Sequence, residues 1–548
     1  MNNKEKNHKV LSKDHRILAK NTFFSFSFSY GKFLFALISS FIIARIISQD
    51  MWGFLIITLS LVNIFTFILI FFPPSLGLSF HYYIPQYRAL NQNSKLKSFV
   101  LNSLIFRLVF VIPIFLLTLL VFNIFIAFFQ ISLQNYTHLF YILSPLIAIN
   151  SFDKIFNDLS RALNRFQIVF ILLLIKYVVN IGGLLYLFLF IEIVELEAIA
   201  IVTLLSSLVP FLINIIIIFF ILKFKINKTN EEGVTFKETF KLLYKYGSIL
   251  SFKNFLDSFY REFKIQSIAV SVDTEFVTGF NLARHYQEVS LEAVRSLNQP
   301  LTISFSGLYS TKQFNQIEKI FKVIFSYSLF LILLITGFLF FFVELFLSLI
   351  YGESYLKFSL IFKLLLISTI FGLPGGFFFS LLRVSDKVKY SIPISLTFIS
   401  IRIPFFLLGL QFYGIEGSIV GLIIAEILVF ILLIILINKL FKIKLHFKKH
   451  IFPYFIFFIS MGITLFLENL FLSDFNTLVL ESLNLHLIRH LNFGSIIVFV
   501  FFYLLLTILF NVLTSDDIEN VEVFFNKDNI LHKFIRKGLK ILKRIIRD

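Results

Sequence analysis

Residues 247–270, GSILSFKNFLDSFYREFKIQSIAV, and residues 279–306, GFNLARHYQEVSLEAVRSLNQPLTISFS, decide how this chain folds. Each is long enough to cross a bilayer, which takes about 20 mostly apolar residues. Each also carries charges that make its hydropathy ambiguous. In the first, Lys253, Asp257, Arg261 and Lys264 recur at i, i+4, i+8 and i+11, a single stripe of an α-helix. In the second, Arg284, Glu288, Glu292 and Arg295 repeat that spacing. A polar stripe on an otherwise apolar helix predicts a helix bordering both lipid and a wet lumen. The same charges can neutralise one another, Lys253 with Asp257, Arg284 with Glu288 and Glu292 with Arg295, and the two uses are compatible.

Outward from this pair, twelve plainer apolar runs cover 21–47, 52–72, 99–128, 138–160, 168–190, 198–222, 322–349, 358–382, 390–410, 417–438, 451–468 and 494–513. The chain is 58% hydrophobic and 15% charged, with a mean hydropathy of +0.88. Soluble domains run near 45–50% apolar and about 25% charged, so the solvent of this chain must be lipid. The first run is too long for a signal-peptide core and lacks a small-residue cleavage site, so it reads as a retained helix. The formal charge of +18 lies mostly in short polar segments on the N-terminal side of the membrane. That is the positive-inside pattern, which places both termini in the cytoplasm and argues against nucleic acid as a partner.

The expected architecture is all-α and integral to the membrane, with about 14 transmembrane helices in two six-helix pseudo-symmetric lobes plus two C-terminal helices. Its parts are a basic cytoplasmic N-tail (1–20), a first lobe (21–222), a cytoplasmic linker (223–246), a second lobe (247–440), helices 13 and 14 (441–513) and a cytoplasmic tail (514–548). Short matches support a duplication. Asp50 with Gly53-Phe54 pairs with Glu275 and Gly279-Phe280, and Arg161-x-x-Asn164-Arg165 with Arg383-x-x-Asp386-Lys387. Leu196-Glu197-Ala198 pairs with Ile415-Glu416-Gly417, at a similar offset. Parallel repeats of this kind place a substrate site between two halves. In the tail, Leu531, Phe534, Ile535, Leu539, Leu542 and Ile546 form one face opposite a row of Lys and Arg, which suits an anionic leaflet surface.

Other helices carry Lys32, Arg107, Lys176, Lys363 and Arg402, with Glu344 and Glu426 among the few acids. Ionisable groups in a bilayer cost from about 2.5 kcal/mol upward, so they face a cavity, a partner or the interface. Arg107 and Lys176 are near enough to the cytoplasmic surface to snorkel. The substrate-binding candidates are therefore Lys32, Arg261, Arg402, Lys253, Arg284, Arg295, Arg107 and Lys176, a set suited to an anion such as pyrophosphate. Asp257, Glu288 and Glu292 are the candidates for ion coupling. Gly372-Leu373-Pro374-Gly375-Gly376 is expected to interrupt the tenth helix, Pro73-Pro74 to end the second, and Gly417-x-x-x-Gly421 to allow a close helix contact.

Signals for catalysis are poor. The chain has no cysteine, no phosphate-binding loop, and no convincing acid pair on an external face. His446 with His450, and His486 with His490, have i, i+4 spacing without a third ligand, so no metal and no cofactor are expected.

Several segments resemble the polysaccharide-export branch of the multidrug/oligosaccharidyl-lipid/polysaccharide (MOP) superfamily, the Wzx-type O-antigen flippases. Leu18-Ala19-Lys20-Asn21-Thr22 through Ala44-Arg45-Ile46 and Trp52-Gly53 are similar to its first helix and external turn. Gly279-Phe280-Asn281-Leu282-Ala283-Arg284 resembles its eighth-helix entry, and Ile350-Tyr351-Gly352-Glu353-Ser354-Tyr355 its turn after helix nine. Tyr413-Gly414-Ile415-Glu416-Gly417 and Leu513-Thr514-Ser515-Asp516-Asp517-Ile518 are similar to its turn before helix twelve and its ending. The resemblance implies two lobes around a cationic cavity, alternating between inward and outward openings. It implies a flippase in the inner or plasma membrane that moves a polyprenyl-pyrophosphate-linked oligosaccharide outward and is not an enzyme. Membrane lipids and glycan-assembly enzymes would be its neighbours. Related peptidoglycan-precursor flippases carry more than one Arg on the first helix, whereas here Lys32 holds the middle. The competing readings are a MATE-like drug or ion exporter and a membrane glycosyltransferase or polymerase.

Overall fold

The computed structural model describes residues 24, 27–28, 30–71, 76–129, 137–225, 232–310, 312–472 and 493–512. Among these residues every regular element is helical. Helix α1 covers 30–46. It is followed by α2 (Gln49–Phe71), α3 (Leu76–Ala89), α4 (Asn93–Phe129), α5 (Thr137–Leu143), α6 (Pro145–Ala162), α7 (Phe166–Phe190) and α8 (Leu196–Phe220). After the linker come α9 (Phe236–Ser271), α10 (Thr274–Ser310), α11 (Phe314–Phe346), α12 (Ser359–Val384) and α13 (Ser391–Phe441). The chain continues through α14 (Phe447–His450), α15 (Phe452–Leu467) and α16 (Phe493–Leu509). Nine helices among the described residues are long and apolar enough to cross a membrane. The charged stretches 247–270 and 279–306 lie within single helices of 36 and 37 residues, α9 and α10. The amphipathic tail, His486, His490 and the Arg295 side chain lie outside the described residues.

Local chemistry explains several boundaries. At the start of α9, the Thr235 hydroxyl accepts from Glu238 N–H and the Glu238 carboxylate accepts from Thr235 N–H, a reciprocal cap. Asn164, at φ 60°, turns the chain between α6 and α7. Within α13 the helix breaks at Tyr413 and Gly414, where φ is 63° and ψ −150°, so this element is two membrane helices joined by a tight turn. A Cβ on Gly421 would stand 2.1 Å from the Phe405 carbonyl oxygen, so the two halves of α13 touch backbone to backbone, as the glycine spacing led us to expect. Leu108, Ile112, Leu116 and Leu120 of α4 form an exposed apolar i, i+4 row, the face that lipid solvates.

The break expected at Pro374 is absent: α12 runs unbroken from Ser359 to Val384 with Pro374 inside it. Proline cannot donate to the carbonyl four residues earlier, that of Ile370. The Tyr454 hydroxyl donates to that carbonyl at 3.1 Å, so the helix continues with its acceptor satisfied from α15.

The chain forms two compact units, one of Met1–Asn281 with Lys389–Ser400, the other of Leu282–Val388 with Ile401–Asp548. In unit 1, α2 packs on α9, α3 on α6, and α8 on both α6 and α7. One of its core clusters joins Phe80, Ile84, Phe99, Leu159 and Ile218. In unit 2, α11 packs on α12 and α16, and α15 on α16. There the Phe499 ring lies against Gly337, and the Tyr503 hydroxyl donates to the Phe330 carbonyl at 3.2 Å.

Candidate functional site

The second helix ends at Phe71, ahead of Pro73 and Pro74. Its last carbonyls, those of Leu69 and Ile70, would ordinarily accept from residues 73 and 74, and neither proline has an N–H to give. Arg107 supplies what is missing. Its side chain, 1% exposed, donates Nη1–H to the Leu69 carbonyl and Nη2–H to the Ile70 carbonyl, the latter at 3.2 Å. A cation at a helix C-terminus is also favoured by the helix dipole. Arg107 thus acts as a C-cap for α2 while its edge lines a cavity.

That cavity, of about 220 Å³, lies wholly within unit 1. It is bounded by Phe67 and Phe71 of α2, Gly77 and His81 of α3, Arg107 of α4, Lys154 and Asp158 of α6, and Ser251, Asn254 and Ser258 of α9. Asp158 sits so close to α3 that a Cβ on Gly77 would meet its Oδ2 at 1.9 Å, so only glycine admits the carboxylate there. His81 Nε2 lies 3.6 Å from Asp158 Oδ1, and Arg161 Nη1 lies 3.9 Å from the same oxygen. Lys154 is exposed within the cavity. Arg107 and Asp158 share the cavity wall with it.

Arg261, one turn along α9 from Ser258, pairs through Nε with the buried Glu262 at 3.1 Å and stands 5.5 Å from the centre of the Phe67 ring. Lys253 and Asp257 bond to each other, the neutralisation their spacing allowed. Lys32 is exposed on α1, and its carbonyl accepts from the Tyr177 hydroxyl at 3.1 Å. Lys176, on α7, is within electrostatic reach of both Lys32 and Asp153.

The remaining candidates belong to unit 2. Arg402 bonds Glu426 at 2.8 Å across the two halves of α13, and Lys363 bonds Glu344 at 2.6 Å between α12 and α11. Glu288 faces His285 at 3.9 Å, and Arg284 and Glu292 are half-buried on the same helix. His450 is spent on structure: its ring stacks on Phe325, with Nδ1 against the His446 backbone and Nε2 3.3 Å from the Lys322 carbonyl. Burial pushes its imidazole below the usual histidine range.

Sequence reading passed over Lys154, Asp158 and His81, which the structure gathers with Arg107. A signal was present, since Asp153, Lys154, Asp158 and Arg161 fall within nine residues of one helix end. Counting 138–160 as an apolar run hid them.

This is the fold of transporters of the MOP superfamily. An inward-facing multidrug resistance MATE transporter of that superfamily superposes with a TM-score of 0.62 at 15% identity, covering 75% of this chain and 96% of its own. The outward-facing conformation of a multidrug resistance MATE transporter gives 0.56 at 14% identity, over 78% of this chain and 94% of its own. The Vibrio cholerae MATE transporter VcmN in its bent form gives 0.54 at 17% identity, over 79% and 98%. No protein-family model matches the chain, and no curated protein is similar to it.

Proposed function

We propose that this protein is a flippase that carries an anionic lipid, a polyprenyl-pyrophosphate-linked oligosaccharide, from the cytoplasmic to the external leaflet of the cell membrane by alternating access. The observation that carries the reading is the pair of cations on the unit 1 cavity wall, Lys154 and Arg107, with Asp158 as counter-charge. Cations lining a membrane-embedded cavity favour an anion, and pyrophosphate presents several acceptor oxygens to lysine and arginine donors. The lipid tail stays in the bilayer while the headgroup and sugars pass through the protein. An inside-negative potential favours outward movement of the anion by about 2.3 kcal/mol per charge per 100 mV. His81, beside Asp158, adds a third donor type at the cavity wall.

The fold comparison also favours a second reading, an exporter of drug-like solutes, since the matched structures are multidrug transporters. A cationic solute would meet repulsion at Lys154, which places the lipid pyrophosphate ahead. The test is transbilayer movement of a lipid-pyrophosphate oligosaccharide in proteoliposomes, with wild type compared to Lys154→Ala, Arg261→Ala and Lys32→Ala. Protein-dependent movement that falls in Lys154→Ala supports the flippase. Absence of movement under either sign of imposed potential, alongside export of a cationic dye, supports the exporter.

A further inference from the structure

The wall of the unit 1 cavity is not uniformly cationic. Asp158 shares it with Lys154 and Arg107, and the Asp158 side chain is mostly buried. To a phosphate, which offers only acceptors, a carboxylate there is a repulsive neighbour. His81 Nε2 at 3.6 Å and Arg161 Nη1 at 3.9 Å approach Asp158 Oδ1 at separations too long for hydrogen bonds. Its Oδ2 occupies the space that the missing side chain of Gly77 leaves. The carboxylate is thus placed to accept from donors that enter the cavity.

The α9 side of the lining adds neutral groups. Ser251, Asn254 and Ser258 recur at i, i+3 and i+7, so one helical face presents two hydroxyls and an amide to the cavity. Each of these side chains can both give and accept hydrogen bonds. Phe255, on the same helix, and Phe71 of α2 supply an aromatic side, with ring centres 5.6 Å apart.

A pyranose ring matches both characters. Its hydroxyls are donors and acceptors around the rim, and one carboxylate can accept from two of them. Its C–H faces pack against the electron-rich faces of aromatic rings. Size sets a limit. A cavity of about 220 Å³ has the volume of about seven waters at roughly 30 Å³ each, enough for one sugar ring and not for a chain of them. Lys154 and Arg107 line the same small space, so the phosphate they meet must be bonded directly to that sugar.

We infer that this cavity is a subsite for the sugar bonded directly to the pyrophosphate, in which Asp158 and Asn254 read the sugar hydroxyls, Phe71 and Phe255 pack on its ring, and Lys154 meets the adjoining phosphate. The inference rests on the lipid-linked substrate proposed above and states which part of it the cavity selects. Asp158 then works for the sugar and against a bare pyrophosphate. The test is calorimetric titration of the full-length detergent-solubilised protein with farnesyl pyrophosphate and with its conjugates to glucose, galactose and N-acetylglucosamine. In wild type at least one conjugate should bind about tenfold more tightly than farnesyl pyrophosphate itself. Asp158→Asn keeps the shape and removes the charge. It should cut that preference about tenfold while binding farnesyl pyrophosphate at least as tightly as wild type does. Damage to the fold would instead weaken both ligands alike. Asn254→Ala alters an exposed side chain and should also reduce the preference, a readout that holds if Asp158→Asn does not fold. The sugar subsite is overturned by the absence of preference for any conjugate in wild type, by parallel loss of both ligands in Asp158→Asn, or by a preference unmoved in Asn254→Ala. Binding of the matching methyl glycoside as tightly as the conjugate overturns its place beside the phosphate. Failure of wild type to bind farnesyl pyrophosphate or any conjugate overturns the anionic-lipid reading instead.

Discussion

In unit 2, Lys363 meets Glu344 at 2.6 Å and Arg402 meets Glu426 at 2.8 Å, each cation matched by an acid from another helix or half-helix. In unit 1, Lys154 and Arg107 line one cavity together with Asp158. Both units place ionisable groups where a bilayer makes them costly, and in the first, Lys154 and Arg107 share a cavity wall. A matched pair completes a structure. Cations on a cavity wall are, on the proposed function, what an anionic ligand would meet.

The largest effect that tests this contrast is on transport. Lys154→Glu should lower proteoliposome flux by roughly 100-fold, since it removes charge-assisted bonds and adds repulsion to an anion. The unit 2 double variant Arg402→Ala/Glu426→Ala should keep flux within about threefold, because it deletes both members of a self-contained pair. Equal loss in the two would break the comparison. Next comes stability. Arg402→Ala alone strands the Glu426 carboxylate and should cost about 3 kcal/mol in unfolding, most of it recovered in the double variant. Thermal unfolding in detergent measures both.

Two glycines sharpen the contrast at smaller scale. Gly421→Ala drives a methyl into the Phe405 carbonyl, a backbone atom that cannot turn aside, and should cost about 1–3 kcal/mol. Gly77→Ala meets a carboxylate instead. Asp158 can rotate away, so stability should fall less, and the change should register in flux as Asp158 leaves His81. The smallest expected effect lies on the cap of α9. The bonds from Thr235 hold the Glu238 carboxyl below its ordinary value of 4.5. Its contribution to stability is therefore present above that pH and fades as pH falls through the depressed value. Glu238→Gln should remove this acid-side dependence in unfolding scans and change little at neutral pH.

Length and hydropathy made the all-helical membrane fold legible, and the spacing of Lys253, Asp257, Arg261 and Lys264 revealed a helix where hydropathy alone was ambiguous. The site was less legible. Arg107 stood out as an intramembrane cation, but its partners are carbonyls 37 and 38 residues away, exposed only because Pro73 and Pro74 cannot donate. The partner of Arg402 was not visible because Glu426 lies across a turn that reverses the chain. Lys154 and Asp158 were hidden by averaging over a stretch whose N-terminal half is apolar. Pro374 announced a break that a tyrosine hydroxyl from a later helix repairs. In each case the deciding partner comes from another helix or half-helix, and helical periodicity reports only what lies along one.

The capping of α2 by Arg107 also bears on how the chain is made. An arginine leaving the translocation machinery faces lipid with no counter-charge, and α4 would insert poorly by itself. The carbonyls that receive Arg107 belong to a segment synthesised about 37 residues earlier, so they are already in place when it emerges. The two prolines keep that acceptor pair open during the interval, and the order of synthesis supplies the partner before the charge.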